Sequence, residues 1–130
     1  MKYALLIYST PETRHELGPE LDGAHDEWVA FYEATKAAGV YVGAEGLSYA
    51  ESATTVRMSA GELLLTDGPF AETKEHLLGF YLIEAMDLNA AIGWAARMPV
   101  LRHGSVEIRP LLPDSAVALR AGRASHRAPE

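Results

Sequence analysis

Short segments of alternating side chains predict strands along the chain. Residues 2–8 are apolar on both alternating sets, which is typical of a strand in the middle of a sheet. In residues 77–85, Gly79, Tyr81 and Ile83 are predicted to face one way and Phe80 and Leu82 the other. Further strands are expected at residues 40–47, 54–58, 62–66 and 105–110.

Two longer segments have apolar residues three and four positions apart, and each predicts an amphipathic helix. The first runs over residues 20–38 and stops at Gly39. Its inward stripe is predicted to comprise Leu21, Ala24, His25, Trp28, Val29, Tyr32 and Thr35. The second begins at Asp87 as N-cap and ends at Pro99. Its buried stripe is predicted to comprise Leu88, Ala91, Ile92, Ala95 and Met98.

The order of these elements predicts an α+β domain of the ferredoxin-like class. A strand–helix–strand unit, a β-hairpin and a second strand–helix–strand unit form a split βαβ pattern with an inserted hairpin. Two helices cover only one face of such a sheet, so the other apolar face is expected to pack on a second copy in a homodimer. Ligand clefts are expected between sheet and helix or at the subunit boundary. The domain is predicted to span residues 1–113, followed by an Ala/Arg-rich, flexible tail at residues 114–130.

Composition limits the class of protein further. The chain has 130 residues, 48% of them hydrophobic and 22% charged, which suits one globular domain with a single core. Its apolar stretches are too short to cross a bilayer, and no signal peptide is evident. The chain contains no cysteine, so disulfides and thiolate chemistry are excluded and a cytoplasmic location is expected.

The net charge of -7 argues against direct binding of nucleic acid. An acidic body repels phosphate backbones, and no basic stripe with interleaved aromatic residues offsets that repulsion. The tail carries three arginines against two acids, so the negative charge lies in the predicted domain. The tail is either a solvated terminus or a weak contact for an anionic surface.

Residues 66–75, TDGPFAETKE, followed by LGFYLIEA at residues 78–85, resemble the signature of the DGPF group of YCII-related proteins. The resemblance extends to residues 1–8, 43–47 and 104–110. It implies a dimeric ferredoxin-like α/β barrel, cytosolic and bacterial, in a family whose members mostly lack a demonstrated activity. The wider group includes a dehydrochlorinase and a proposed histidine–aspartate acid/base pair. Genes of the DGPF group tend to lie beside those of extracytoplasmic-function sigma factors.

His25 and Asp67 are the predicted catalytic residues. His25 matches the family's helix histidine, and a histidine directed inward can transfer protons near neutral pH. Pro69 is expected to hold Gly68 extended and so to fix the Asp67 carboxylate, which would orient the imidazole. The alternatives are a hydrogen-bonded core histidine and an aspartate that bonds its own turn. The wider group has an Asp-Pro pair after the second helix, where this chain has Met98 before the proline, so Asp67 is a replacement by inference.

The predicted substrate-binding residues are Glu45, Glu72, Thr73, Lys74 and Tyr81. A lysine beside a cleft would attract an anionic or phenolate oxygen, and a threonine could donate to it. The alternatives are an exposed strand carboxylate at Glu45 and a core aromatic at Tyr81, and the neighbouring Glu75 and His76 are interpreted as solvated loop residues.

No metal or organic cofactor is predicted. The five histidines have none of the helical spacings that place two ligands on one face: His15, His25, His76, His103 and His126. A phosphate-binding loop, a dinucleotide fingerprint and a nucleophile elbow are all missing from the sequence.

Two functions are therefore carried forward. The first is a small acid/base enzyme, of lyase or hydrolase type, that uses a His–Asp pair on a small polar or aromatic metabolite. The second is a non-catalytic dimer that binds a small molecule or regulates an extracytoplasmic-function sigma factor. The sequence leaves open whether the protein is an enzyme.

Overall fold

A computed structural model of the chain describes residues 1–10, 21–69 and 74–113, with the main chain alone for residues 21–24. This part of the chain contains six strands and two helices. In chain order they are β1 (Lys2–Ser9), α1 (Leu21–Ala37), β2 (Tyr41–Gly46), β3 (Thr54–Ser59), β4 (Glu62–Asp67), β5 (His76–Glu84), α2 (Leu88–Ala95) and β6 (Gly104–Pro110). Short 3-10 turns lie at Ala50–Ser52 and Pro99–Arg102.

Four strands form an antiparallel sheet in the order β2-β5-β1-β6. Strands β3 and β4 pair with each other in a separate two-stranded sheet. The α+β architecture and the strand order are compatible with a ferredoxin-like fold. The predicted tail at residues 114–130 lies outside the described residues.

The core lies between the helices and one face of the sheet, here called the inner face. Register places Tyr3 opposite Ile83 and Leu5 opposite Tyr81, and all four side chains are buried. Phe80 and Leu82 lie on the opposite, outer face, so the predicted faces of β5 are confirmed.

Helix α1 packs on the sheet with only part of the predicted stripe. Thr35 is buried and Trp28 packs against the core as predicted, but Phe31, outside the stripe, is also buried, and His25 and Val29 are exposed. The expectation that His25 points inward is wrong, because the large Phe31 ring occupies the core and fixes the helix rotation. Leu21 and Ala24 belong to the predicted stripe, and their side chains lie outside the described residues.

Helix α2 is shorter than predicted and buries only its small residues. Ala91 and Ala95 are buried, but Leu88 and Ile92 are about half exposed, so that part of the predicted stripe is wrong. Asp87 is confirmed as the N-cap, since its carboxylate accepts from the Ala90 N–H at 2.9 Å.

An aromatic cluster joins α1 to the inner face around Tyr81. The Tyr81 ring stacks on Trp28 at 6.1 Å between centroids and meets Phe31 at 5.0 Å and Tyr41 at 5.9 Å. Burial, with smaller contributions from Tyr41 and Tyr32, raises the pKa of Tyr81 from 10.0 to about 12. The phenol is therefore held in its protonated form.

The raised pKa of Tyr81 predicts a loss of stability in alkali. A group that holds its proton more tightly when folded contributes stability below its unfolded pKa of 10.0, and that contribution disappears as pH rises to about 12. Urea unfolding at about pH 9 and about pH 11.5 should show this fall, and Tyr81→Phe should reduce it. Tyr49→Phe is the control and should keep the wild-type fall, because Tyr81 is still present. An equal fall in the Tyr81→Phe protein would contradict the prediction.

Two glycines allow neighbouring strands to approach each other closely. A Cβ on Gly104 would lie 2.1 Å from the Tyr8 carbonyl oxygen and 3.2 Å from the Ser9 Cβ. A Cβ on Gly79 would lie 2.5 Å from the Glu45 carbonyl oxygen. Any larger residue at either position must separate main chains in the sheet.

Gly104→Ala should therefore destabilise the fold by about 1–3 kcal/mol, the usual cost of overpacking a tight contact. Urea unfolding at neutral pH measures the change. The matched control is Gly93→Ala on α2, where a Cβ meets nothing within 4 Å. That helix substitution should raise stability by up to about 1 kcal/mol. If Gly104→Ala is as stable as the wild type, the close approach does not constrain the sheet.

Candidate functional site

A cleft of about 390 Å³ opens between the inner face of the sheet and the N-terminal half of α1. It is bounded by strands β1, β2 and β5, by Trp28 on α1 and by the turn Pro99–Arg102. Its apolar lining residues are Ile7, Trp28, Ala44, Leu78, Tyr81, Pro99 and Val100, together with the main chain of Phe80, whose side chain lies on the outer face. Its polar lining residues are Ser9, Glu45, Arg102 and His103. A largely apolar cleft with a few convergent polar groups is the usual form of a small-molecule site.

The most closely associated polar groups in the cleft are Ser9 and His103. The Ser9 hydroxyl lies 3.3 Å from the His103 Nδ1 and donates to the His103 carbonyl oxygen at 3.2 Å. The direction of the Ser9–Nδ1 hydrogen bond depends on the His103 tautomer. When the hydroxyl gives its one proton to the carbonyl, it can accept from a protonated Nδ1, and that tautomer has its lone pair on Nε2.

Local sequence explains how these two residues meet. Pro99 begins the 3-10 turn after α2, and the turn closes where the His103 N–H donates to the Val100 carbonyl at 2.9 Å. Ser9 ends β1 directly opposite Gly104, and the missing Cβ of this glycine admits the serine. Ser9 is fully buried as a result.

Arg102 connects the same turn to α1 at the edge of the cleft. Its guanidinium donates two hydrogen bonds to the Glu27 carboxylate, one of them at 3.0 Å. The hydrogen bond with Glu27 is the main cause that raises the pKa of Arg102. Both side chains are exposed, so the pair adds little stability. It does fix the position of a positive charge beside the cleft.

Two of the predicted substrate-binding residues, Tyr81 and Glu45, line this cleft. Tyr81 forms part of the wall, stacked on Trp28. Glu45 pairs with Phe80 in the register and so lies on the outer face, which leaves its main chain to bound the cleft. Glu72 and Thr73 lie outside the described residues.

Asp67 and Lys74 line a second, more open groove of about 700 Å³ together with His76. The turn after β4 is held by main-chain contacts: the Gly68 N–H donates to the Ala53 carbonyl at 2.7 Å. Gly68 has a φ of 100°, a conformation that favours glycine, rather than the ordinary extended form predicted from Pro69. The groove therefore places a carboxylate and an ammonium group on one surface.

The structure does not bring His25 and Asp67 together. Neither residue belongs to the described lining of the apolar cleft, and within the described part of the chain no hydrogen bond or ion pair joins them. The catalytic role of this pair stays a prediction.

Within the described residues, no group of three or more histidine, aspartate or glutamate side chains is arranged to hold a metal ion. No helix in this part of the chain has the length and apolar character needed to cross a membrane.

Sequence reasoning did not identify Ser9, His103, Trp28 and Arg102 as a group. One available signal was the position of His103 directly before Gly104, where a segment resembling the family begins. Contact between Ser9 and His103 depends on the register of β1 with β6, 94 residues apart, which spacing along the chain does not reveal.

Comparison with known proteins assigns the chain to a family. An uncharacterised protein of Rhizobium meliloti is 52% identical over 62 residues. The match covers 46% of this chain and 50% of that protein, so the chain spans about half the length of the curated relative it matches. A family model described as the YCII-related domain matches residues 1–114. The chain therefore belongs to the YCII-related family.

Proposed function

We propose that the protein binds a small, partly aromatic metabolite in the apolar cleft and that His103 exchanges a proton with it. The observation that supports this proposal is the Ser9–His103 hydrogen bond inside a cleft of about 390 Å³ with mostly apolar walls. Trp28 and Tyr81 supply aromatic surface for a ring, and Arg102 supplies positive charge at the edge.

The proposed chemistry is general acid/base catalysis. Ser9 holds Nδ1, so the His103 Nε2 lone pair takes a proton from the ligand and returns it at another atom or to a leaving group. Arg102 stabilises the negative charge that develops on the ligand. This scheme retains the lyase or hydrolase type of reaction predicted from sequence, with His103 in place of His25.

A homodimer is the second element of the proposal. Leu6, Phe80 and Leu82 place apolar side chains on the outer face, away from both helices. An apolar sheet face of this kind favours a second copy as its cover. A homodimer agrees with the dimeric state that the family resemblance implies.

Binding can be measured with Trp28 as the reporter. The chain has two tryptophans, so a Trp94→Phe background leaves Trp28, in the cleft wall, as the single tryptophan. Titration with a panel of phenols and small hydroxylated aromatic acids should change its emission in a saturable way. Absence of any saturable change across the panel would contradict the proposed ligand class.

Turnover distinguishes the two possible acid/base groups. For a panel member that is converted, His103→Gln should lower kcat by about 100-fold or more with little change in binding, because proton transfer is lost. Ser9→Ala should lower kcat less, since it removes only the orienting contact. His25→Gln and Asp67→Asn are the matched variants, and each should retain wild-type kcat. If His25→Gln loses activity and His103→Gln does not, the pair predicted from sequence is the catalytic one.

A regulatory dimer is the competing function, supported by the net charge of -7, which suits a basic protein partner. Association with the sigma factor suggested by the family resemblance should then weaken steeply between about 50 and about 200 mM salt. Saturable ligand binding without turnover, together with such salt-sensitive association, would favour this function over catalysis.

A further inference from the structure

We infer that the β3–β4 hairpin is a dimerisation arm that packs its apolar face on the outer sheet face of a second copy of this chain. The hairpin face consists of Val56, Met58, Leu63 and Leu65, and the outer sheet face is centred on Leu6, Phe80 and Leu82. The inference rests on the homodimer proposed above and adds a surface that sequence reasoning did not use.

Register places the four residues of the hairpin face on one side of the two-stranded sheet. Val56 lies opposite Leu65, and Met58 lies opposite Leu63. Their exposed fractions are 58% for Val56, 66% for Leu65, 69% for Met58 and 60% for Leu63. Four adjacent apolar side chains are therefore directed into water.

The reverse side of the hairpin has a different character. Arg57 lies opposite Leu64 there, and Thr55 lies opposite Thr66. All the apolar residues of the two strands except Leu64 thus lie on one side, as in a strand pair that covers a core. In the described part of the chain, however, β3 and β4 pair only with each other. A two-stranded hairpin alone is marginally stable in water, so it gains most from packing its apolar face against another surface.

The size of the hairpin face argues for a composite interface. At those exposures the four side chains leave roughly 400 Å² of apolar surface, which is large for a monomer but about half of what a stable interface needs from each partner. The outer sheet face supplies a second apolar surface on the same chain. Leu6, Phe80 and Leu82 are half-buried there, so this face adds to the apolar area that a second copy could cover.

Charge and symmetry favour a second copy as the occupant. None of the four side chains of the hairpin face is charged, so an acidic or basic partner would gain nothing from this surface. Leu6 and Phe80, paired in the register, form an apolar centre of matching character, with the charged residues Glu45 and Glu107 on either side of it. In a two-fold dimer each copy contributes one hairpin face and one outer sheet face, so the contact is made twice.

Sedimentation equilibrium tests the arm with a matched pair of variants. Leu65→Lys places a charge on the hairpin face and should raise the dimer dissociation constant by about 100-fold or more. Leu64→Lys places the same charge on the reverse side of the same strand and should leave the constant unchanged. Both residues are exposed, so both variants should retain the wild-type circular dichroism spectrum.

Cysteine pairing identifies the surface that the arm contacts. The chain has no cysteine of its own, so Met58→Cys and Leu82→Cys can be prepared separately and mixed under mild oxidation. A disulfide between the two variants, in preference to either self-pair, is the expected result. Dominant self-pairing of Met58→Cys would indicate hairpin-to-hairpin contact and overturn the inference.

The remaining outcomes separate the arm from the dimer itself. A wild-type dimer that Leu65→Lys leaves intact overturns the arm but keeps the proposed homodimer. A wild-type protein that is still monomeric at about 100 µM would associate only weakly at best. That result overturns both the arm and the proposed homodimer. An intramolecular disulfide in the Met58→Cys, Leu82→Cys double variant would show that the arm folds onto its own sheet, which also overturns the inference.

Discussion

The rest of the structure depends on the pairing of β1 with two neighbours at once. Strand β5 pairs with one edge of β1 and β6 with the other, so residues from both ends of the described chain meet at this strand. Leu5 on β1 and Ile83 on β5 are fully buried on the inner face. The helices pack on the surface that these strands create, and the cleft opens where β1 ends.

The same constraint explains the candidate site. The sheet admits β6 beside Ser9 only because Gly104 lacks a Cβ, and this contact brings His103 to the serine hydroxyl. Trp28 and Tyr81 then form an aromatic wall, since Phe31 sets the rotation of α1 against the sheet. Packing of the core and formation of the site are thus consequences of one strand arrangement.

The two apolar surfaces outside the core have a common origin. Both helices lie on the inner face, which leaves Leu6, Phe80 and Leu82 on the side that they do not cover. Hydrogen bonds hold the base of the hairpin, where the Thr55 hydroxyl donates to the Gly68 carbonyl at 2.8 Å and the Gly68 N–H donates to the Ala53 carbonyl. A homodimer would cover both surfaces and leave the Ser9–His103 cleft on the opposite side of the sheet. Binding and assembly can therefore be altered by separate substitutions.

The sequence by itself determined the order of strands and helices, the N-cap at Asp87 and the two faces of β5. These features follow from local periodicity and local hydrogen bonds. The sequence also named Tyr81 as a candidate substrate-binding residue, and Tyr81 lines the cleft. Tertiary structure alone decided the rotation of α1. Phe31 packs against Tyr81 and is buried, and this rotation leaves His25 exposed. It likewise decided that His103, rather than His25, lies in the cleft, because Ser9 and His103 meet only through strand register across 94 residues of chain.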